Sequence, residues 1–515
     1  MDLHTAIVVL EVIAIGALHA AVVVSILMGE RRQPTATLAW LLTATLIPFA
    51  GALLYLLIGR TRTLGIVRRT KRAATLLHDI FEARGSRHWQ PRPDGADLEP
   101  RTKTMLELSE RLVSTPADDS RSGRRRRACL AHASYGNKVE MLVNGAAFYR
   151  SLFESIAAAE RQLHVQFYII QPDESGVSLR DRLTEAARNG LEVRVLYDAV
   201  GSSRLGSAFW KPLVDAGGIV SAFNPVSFLT SRLRRRDRID FRNHRKLVIV
   251  DGKVGFTGGI NIGREYLGLD PEVGHWRDTH LRIEGPAVLS LQEVFALDWN
   301  VACGESCEYA SWFALPSVHP EGALVQVVDS GPDSEWAPVE QIYFQAISCA
   351  EEKLWLSTPY FVPSAPIEAA LIAAAMRGVD VRLLVPHRPD SLVVGLASHS
   401  YFETLLRAGA RVFLYEGFRR RRFGRRVRRG FLHAKTMVVD SWMATVGSAN
   451  MDMRSFRLNF ELNAFIYDTA FCDEMAAQFE LDLNQASELT AEAARTTPYP
   501  RRMAQQAARV MSPLL

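Results

Sequence analysis

Two segments of this 515-residue chain, about 190 residues apart, repeat one spaced pattern of polar residues. The first reads "NHRKLVIVDGKVGFTGGIN" and the second reads "LHAKTMVVDSWMATVGSAN". Both fit His-x-Lys-x4-Asp-x6-Gly-[Gly/Ser]-x-Asn. A lone His-x-Lys-x4-Asp is expected by chance in roughly a few per cent of chains this long, if each residue type occurs about once in twenty positions. Two copies that share the later glycine and asparagine offsets therefore indicate a duplicated unit.

The sequence around the two motifs is duplicated as well. "LTEAARNGLEVRVLYDAVGS" matches "LIAAAMRGVDVRLLVPHRPDS", and in both a helical pattern ends at a glycine before a β-branched run. Apolar strand runs that alternate with helical patterns predict an α/β fold with a mainly parallel sheet and helices on both faces. We predict two tandem α/β repeats with pseudo-twofold symmetry, residues 138–305 and 306–515, the second with a C-terminal helical tail. Two independent domains are the alternative, but the duplicated chemistry favours one shared site.

The residue types of the motif indicate phosphoryl chemistry. Histidine serves as a nucleophile or a general acid near neutral pH, and lysine and asparagine can hold phosphate oxygens. One histidine would attack phosphorus, while the other would protonate the leaving alcohol and deprotonate the incoming one. Glycine allows the backbone to approach a phosphate closely. The predicted catalytic residues are His244, Lys246, Asp251, His433, Lys435 and Asp440, and the predicted substrate-binding residues are Gly258, Gly259, Asn261, Ser448 and Asn450.

The sequence predicts neither a metal nor another cofactor. No carboxylate cluster with metal-ligand spacing lies near either motif, and the chemistry outlined above needs no metal. The five cysteines are odd in number and scattered, so they imply no disulfide framework and fit a reducing compartment.

The N-terminus predicts a transmembrane hairpin over residues 1–60. Residues 5–28 and 36–58 are mostly apolar, and each run is long enough to cross a hydrocarbon core of about 30 Å. We expect Pro48 to kink the second span. Basic residues are concentrated just after residue 60, so the positive-inside rule places the rest of the chain in the cytoplasm. Residues 61–137 are predicted as a basic juxtamembrane segment and a mobile linker with one short helical pattern.

The paired motifs resemble those of the phospholipase D superfamily, whose histidine, lysine and aspartate give the motif its name, HKD. The resemblance covers roughly residues 138–485. The twin N-terminal spans, "STPYFVPSAP" and "GSANMDMRSFRLNFELN" are similar to the bacterial cardiolipin synthase family. This resemblance implies phosphatidyl transfer through a phosphohistidine, with His244 as nucleophile and His433 as acid/base. It also suggests that Glu461, and Asp278 with it, orient the histidines.

The resemblance implies a membrane-bound phosphatidyltransferase that joins two phosphatidylglycerol molecules into cardiolipin and releases glycerol. It would be a multi-pass protein of the bacterial inner membrane that acts on anionic phospholipids, with no nucleic acid partner expected. Three alternatives remain: a phospholipase D that releases phosphatidic acid, a nuclease of the same superfamily, and a membrane-anchored binding module. Both motifs are intact, which argues against a decayed site, and a nuclease needs no membrane spans.

Arginine-rich runs precede both motifs. Eight arginines lie between Arg419 and Arg429, and "SRLRRRDRIDFRNHRK" leads into the first motif. The net charge of +5 is modest, so the clustering is more informative than the total. Near an anionic leaflet each basic residue contributes about 1 kcal/mol of attraction. We therefore predict that these runs gather anionic headgroups at the mouth of the site.

Overall fold

The computed structural model describes residues 15–17, 19–28, 34–55, 69–70, 98–113, 133–225, 240–270, 274–304, 309–334, 336–422 and 425–514. For residues 418–422 and 425–429 the description is of the backbone alone. The chain divides into an N-terminal unit, Met1–Arg68 with Ser227–Asp240, and a body, Arg69–Val226 with Phe241–Leu515.

The described part of Met1–Arg68 is mostly helical. Residues 19–27 are helical, and helices α1 (Pro34–Leu46) and α2 (Pro48–Leu54) follow. The helix is interrupted at Ile47, which confirms the kink predicted at Pro48. Proline causes the interruption because it supplies no N–H for the preceding turn. The Ser25 and Tyr55 hydroxyls lie 3.1 Å apart, so residues 19–27 and the end of α2 are in contact.

None of the helices in the described part of the chain combines the length and the apolar character that crossing a membrane requires. The predicted span 5–28 includes residues 5–14 and 18, and the span 36–58 includes residues 56–58, all of which lie outside the described residues. The transmembrane hairpin accordingly stays a prediction.

The described part of the body contains 21 strands in chain order. Their bounds are β1 (Ala133–Val143), β2 (Gln162–Phe167), β3 (Glu192–Asp198), β4 (Ile219–Phe223), β5 (Arg242–Asn243), β6 (Leu247–Val250), β7 (Val254–Gly258), β8 (His275–Arg277), β9 (Thr279–Glu284), β10 (Ala323–Ser330), β11 (Lys353–Ser357), β12 (Phe361–Val362), β13 (Asp380–Pro386), β14 (Arg411–Tyr415), β15 (Phe418–Arg422), β16 (Arg425–Leu432), β17 (Thr436–Val439), β18 (Met443–Gly447), β19 (Met451–Asp452), β20 (Asn459–Tyr467) and β21 (Ala486–Leu489).

Most of these strands form one 16-stranded sheet that contains the same arrangement twice. The first repeat has the order β4-β3-β2-β6-β7-β9-β1, and the second has β14-β13-β11-β17-β18-β20-β10. The two halves join where β1 pairs antiparallel with β10. The α/β fold with two tandem repeats is therefore confirmed, and the repeats share one sheet. The first repeat begins at Ala133, so the boundary predicted at residue 138 falls inside β1.

The prediction of a mainly parallel sheet is wrong. In the first repeat only β2–β3 and β3–β4 are parallel, whereas the four pairs β2–β6, β6–β7, β7–β9 and β1–β9 are antiparallel. The second repeat has the same mixture. The physical reason lies in the connections, because β6 and β7 are joined by a short turn, which permits only antiparallel pairing.

Helices cover the sheet. In the body they are α3 (Pro100–Val113), α4 (Asn144–Ala157), α5 (Glu174–Arg188), α6 (Ser207–Asp215), α7 (Ala287–Cys303), α8 (Pro338–Ser348), α9 (Ala365–Met376), α10 (Leu392–Ala408), α11 (Met453–Arg457), α12 (Thr469–Leu483), α13 (Ala491–Arg495) and α14 (Tyr499–Val510), with short 3-10 turns at Arg264–Leu267, Tyr309–Trp312 and Ser512–Leu514. Each repeat has its own apolar core. Helix α7 is buried along almost its whole length, which explains its nearly uniform apolar sequence.

Helix α3 corrects the expectation of a mobile linker for the residues it contains. Its Met105 and Leu106 are buried in the core of the second repeat, and the Arg101 guanidinium bonds the Asp440 carboxylate at 2.9 Å. The short helical pattern predicted in the linker is present, but its apolar side chains pack into the body because burial outweighs the polar composition around them.

A buried arginine connects the two repeats. Arg245 is 2 % exposed, and its guanidinium donates to Asp298 at 2.7 Å, to Asp329 at 2.9 Å and to the Glu461 carbonyl at 3.0 Å. Asp298 belongs to the first repeat, whereas Asp329 and Glu461 belong to the second. Arg245 thus links helix Ala287–Cys303 of the first repeat to strands β10 and β20 of the second.

We expect Arg245→Ala to destabilise the body by about 3–5 kcal/mol, because it leaves the buried Asp298 carboxylate and the half-buried Asp329 carboxylate without their cation. Thermal unfolding of the full-length protein measures the effect. Arg411→Ala is the matched control, since the Arg411–Glu488 pair at 2.8 Å is nearly half exposed and such pairs contribute about 0–1 kcal/mol. Equal unfolding midpoints for the two variants would contradict the proposed role of Arg245.

Candidate active site

The backbone carries both motif histidines to the boundary between the repeats. His244 follows β5, which pairs with β20 of the second repeat, and the His244 N–H donates to the Phe460 carbonyl at 2.9 Å. His433 follows β16, which pairs with β8 of the first repeat, and its N–H donates to the Arg277 carbonyl at 2.7 Å. Each histidine is thus anchored on the opposite repeat.

The same crossed arrangement holds for the side chains. His244 Nδ1 lies 3.0 Å from a carboxylate oxygen of Glu461, and His433 Nδ1 lies 2.6 Å from Asp278 Oδ2. Both carboxylates are fully buried. A carboxylate on Nδ1 fixes the ring and places the reactive lone pair on Nε2. Glu461 and Asp278 are therefore positioned to orient the histidines.

Both histidines are neutral in the free protein at neutral pH. Burial lowers the pKa of His244 to about 4 and that of His433 to about 3, although the neighbouring carboxylates oppose the shift. Burial also opposes ionisation of Glu461 and Asp278, yet the adjacent histidines and lysines hold the pKa of both carboxyls below the usual range. Neutral imidazole is the form that can attack phosphorus.

The two lysines lie beside the histidines. Lys246 Nζ donates to the His244 carbonyl and Lys435 Nζ donates to the His433 carbonyl, both at 2.5 Å. Burial lowers the pKa of Lys435 to about 8 and moves the pKa of Lys246 well below its usual value, although Glu461 and Asp278 favour the ammonium forms. These buried cations suit an anion that enters between them.

The structure does not bring Asp251 and Asp440 to the histidines. Each aspartate follows the far end of the motif strand, and its carboxylate accepts backbone N–H groups, those of residues 160–162 for Asp251 and of residues 351–353 for Asp440. Both residues have a positive φ, 54° and 49°. In the structure both aspartates anchor the loop before the neighbouring strand, because a short acidic side chain tolerates this conformation and bonds nearby amides. Their catalytic role stays a prediction.

The two predicted asparagines lie just after the motif glycines, but they have different partners. Asn261 Nδ2 donates to the Tyr266 hydroxyl at 2.7 Å, and its Oδ1 accepts from the Ile169 N–H at 3.2 Å. Asn450 Nδ2 donates to Asp452 at 3.1 Å. The pseudo-twofold symmetry of the backbone therefore does not extend to these side chains.

The glycine–serine difference in the motif also has a structural reason. Ser448 Oγ donates to Glu461 at 2.6 Å, so it helps to hold the carboxylate that bonds His244. A Cβ atom on Gly259 would lie only 2.1 Å from Asp278 Oδ1. The first repeat needs glycine here because the Asp278 carboxylate occupies the space that a serine would fill. Gly258, before it, has a φ of 154° and packs against His280.

Two aromatic side chains that the sequence did not predict as site residues flank the histidines. The Tyr168 ring lies edge-on to His244 at 4.9 Å between centroids, and the Trp276 ring lies 5.3 Å from His433. Trp276 is half-buried. His164 and His280 are fully buried. Position near a strand end is the one sequence signal that Tyr168 and Trp276 share.

Within the described part of the chain, no group of three or more His, Cys, Asp or Glu residues is placed to hold a metal ion.

Two family models match the sequence. The model described as "Cardiolipin synthase, PLD-like domain" matches residues 152–299 and 343–483. The model described as "Phospholipase_D-nuclease N-terminal" matches residues 17–60.

Named relatives resemble nearly the whole chain. A cardiolipin synthase of Geobacillus kaustophilus is 39% identical over 94% of this chain and 90% of that protein. The major cardiolipin synthase ClsA of Bacillus subtilis is 37% identical over 97% of both chains. A phosphatidylserine synthase of Haemophilus influenzae has a similar fold, with a TM-score of 0.56, 17% identity, and coverage of 80% of this chain and 100% of that one.

We expect Gly259→Ala to lower catalytic turnover by at least about tenfold, because the new Cβ displaces Asp278 from His433. Initial rates compared with those of Gly206→Ala provide the measurement, since a Cβ on Gly206 meets no atom within 4 Å. Full turnover in the Gly259→Ala variant would show that the Asp278 position is not critical.

Proposed function

This chain belongs to the cardiolipin synthase family, which are phospholipid transferases with phospholipase D-like domains, and we propose that it makes cardiolipin from two molecules of phosphatidylglycerol with release of glycerol. The observation that carries the proposal is the crossed pair of histidine–carboxylate hydrogen bonds, with the two lysines beside it. Two histidines at one boundary suit a reaction in two displacement steps.

In the first step, Nε2 of His244 attacks phosphorus of a phosphatidylglycerol, and the bond from phosphorus to the glycerol oxygen breaks. That oxygen takes a proton from His433 and leaves as glycerol. Because His433 is neutral in the free protein, it must gain this proton as the anionic phosphodiester binds. Asp278 on Nδ1 favours the protonated ring, and the lysine ammonium groups balance the charge that develops on the phosphoryl oxygens.

In the second step, a hydroxyl of another phosphatidylglycerol gives its proton to His433, and its oxygen forms a bond to phosphorus. The bond from phosphorus to His244 breaks, and cardiolipin leaves. The sequence symmetry of the motifs leaves the opposite assignment of the two histidines possible, and the labelling experiment below distinguishes them. In this scheme Asn261, Asn450 and the motif glycines line the substrate position.

We also propose that the protein is anchored in the bacterial inner membrane by residues 5–28 and 36–58, with the body in the cytoplasm. The length of the apolar runs and the N-terminal family match over residues 17–60 support this. The position of the arginine run also supports an anionic lipid substrate. Its backbone forms the β15–β16 hairpin, and β16 leads directly into His433, so these arginines are close in the chain to a motif histidine. Residues 231–239 of the other basic run lie outside the described residues.

We expect purified protein in phosphatidylglycerol vesicles to form cardiolipin and glycerol in equal amounts, because each turnover joins two lipids and releases one headgroup. Lipid mass spectrometry and an enzymatic glycerol assay measure the two products. Phosphatidic acid without cardiolipin would instead show a hydrolase. With ³²P-labelled lipid, His433→Ala should retain a labelled phosphoenzyme and His244→Ala should not. The reverse pattern would exchange the roles of the two histidines.

The pH dependence of kcat/KM should show the loss of the positive charge of Lys435 as the pH rises. Its pKa is lowered to about 8, so the ammonium is present below that pH and is lost as the pH rises through it. We expect kcat/KM to fall above pH 8, because kcat/KM reports groups of the free protein. Lys435→Arg should move this alkaline limb upward in whatever activity remains, since guanidinium stays charged. An unmoved limb would assign it to another group.

A further inference from the structure

A polar group beside the second motif has no part in the scheme above. The Tyr360 hydroxyl donates to Asp390 Oδ2 at 2.7 Å, where the chain leaves β11 and β13. Tyr360 is half-buried and Asp390 is exposed, so the pair is accessible. Thr358 ties this segment to the motif, since its hydroxyl donates to the Tyr360 carbonyl at 2.8 Å and accepts from the Met451 N–H at 3.1 Å.

Strand pairing places this group beside the second motif, because Phe361 pairs with Met451, the residue after Asn450. Asp390 and Asp452 both favour the ammonium form of Lys435, opposing the effect of burial on its pKa. Burial raises the pKa of Tyr360, and Asp390, Asp452 and Tyr168 raise it further. These electrostatic effects agree with the position that the strand pairing gives.

An unsatisfied acceptor lies next to this pair. Asn450 is 5 % exposed, and within the described part of the chain its Oδ1 has no hydrogen-bond partner. Asp452 fixes the orientation of the amide, because Nδ2 donates to that carboxylate. A buried acceptor without a donor costs about 1–3 kcal/mol, so such an atom in a native protein requires an explanation.

Comparison of the two repeats indicates which segment Asn450 Oδ1 faces. The equivalent Asn261 Oδ1 accepts from the Ile169 N–H. The strand pairings place Ile170 next to Ile262 in the first repeat and Phe361 next to Met451 in the second, so Tyr360 takes the place of Ile169. By that register Asn450 Oδ1 would face the Tyr360 segment, where a ligand hydroxyl could donate to it.

We propose that Tyr360, Asp390 and Asn450 form a subsite that binds the hydroxyl groups of a glycerol headgroup. The inference rests on the proposed function and adds to it the groups that recognise the alcohol. A polyol offers O–H donors, and Asp390 and Asn450 offer oxygen acceptors. A phosphate would be repelled by Asp390, and an amine would be repelled by the ammonium of Lys435.

One such subsite serves both steps of the reaction. The glycerol that leaves the first phosphatidylglycerol and the glycerol headgroup that accepts the phosphatidyl group are the same chemical group. Water lacks the additional hydroxyls, so it gains nothing from these acceptors. A site that hydrogen-bonds a substrate hydroxyl rejects analogues without it far more strongly than an apolar pocket can. The subsite would therefore favour transfer over hydrolysis.

The test compares two acceptors of equal carbon number. Full-length protein in phosphatidylglycerol vesicles receives equal concentrations of ¹³C-labelled glycerol and 1-propanol, and mass spectrometry measures labelled phosphatidylglycerol against phosphatidylpropanol. We expect the wild-type protein to prefer glycerol by about tenfold or more. Asp390→Asn and Tyr360→Phe should each bring this ratio close to one, because each removes a group that binds or orients the additional hydroxyls.

Two controls separate recognition from general damage. Asp390→Glu keeps a carboxylate acceptor and should retain most of the preference. Asp215→Asn removes an exposed carboxylate that pairs with Lys211 at 2.8 Å, and it should keep the wild-type ratio. Because the measurement is a ratio, a variant with reduced total activity remains informative.

The possible outcomes distinguish the subsite from the proposed function. Wild-type ratios in both Asp390→Asn and Tyr360→Phe would overturn the subsite while leaving the transferase proposal intact. Preferential transfer to 3-amino-1-propanol in a parallel reaction would show that the carboxylates recognise an amine, which also overturns the subsite. If the wild-type protein transfers the phosphatidyl group to no alcohol, both proposals are wrong.

Discussion

The hydrogen bond from each motif histidine to a carboxylate of the opposite repeat is the contact on which the site depends. His244 bonds Glu461 and His433 bonds Asp278, so neither repeat contains a complete histidine–carboxylate pair. The backbone crosses between the repeats in the same way. Strand β5 of the first repeat pairs with β20 of the second, and β16 of the second repeat pairs with β8 of the first. Arg245 adds a buried ionic connection at the same boundary. Association of the repeats and assembly of the site are therefore one event.

Burial shifts the pKa values of the site's histidines and lysines, and it also costs free energy because charged groups are removed from water. Two lysines, two histidines and two carboxylates are removed from water together, and each charged group needs its neighbours. In this site burial favours neutral imidazoles, while the carboxylates favour the ammonium forms of the two lysines against the effect of burial. Such a site is prepared for an anionic phosphodiester, because the entering phosphate supplies the negative charge that favours both protonated lysines and a protonated histidine.

The duplicated backbone carries side chains that differ between the two halves. Ser448 supports Glu461, whereas Gly259 makes room for Asp278. Both polar side-chain atoms of Asn261 have partners, Tyr266 and Ile169, whereas among the described residues Asn450 Oδ1 has no hydrogen-bond partner. These differences are compatible with a division of labour, in which one histidine carries the phosphatidyl group and the other handles the alcohol. The proposed glycerol subsite lies in the second repeat, beside the acceptor oxygen of Asn450.

The sequence by itself determined the duplication, the α/β class and the histidine–lysine pairs, because spacing and residue type are preserved in the chain whatever its fold. It also suggested Glu461 and Asp278 through family resemblance. Only the tertiary structure decided the mixed strand directions, the packing of helix α3 and the anchoring role of Asp251 and Asp440. Contacts such as Tyr168 against His244 or Tyr360 with Asp390 join residues far apart in the chain. No local pattern records them, since they arise when separate strand ends meet at one edge of the sheet.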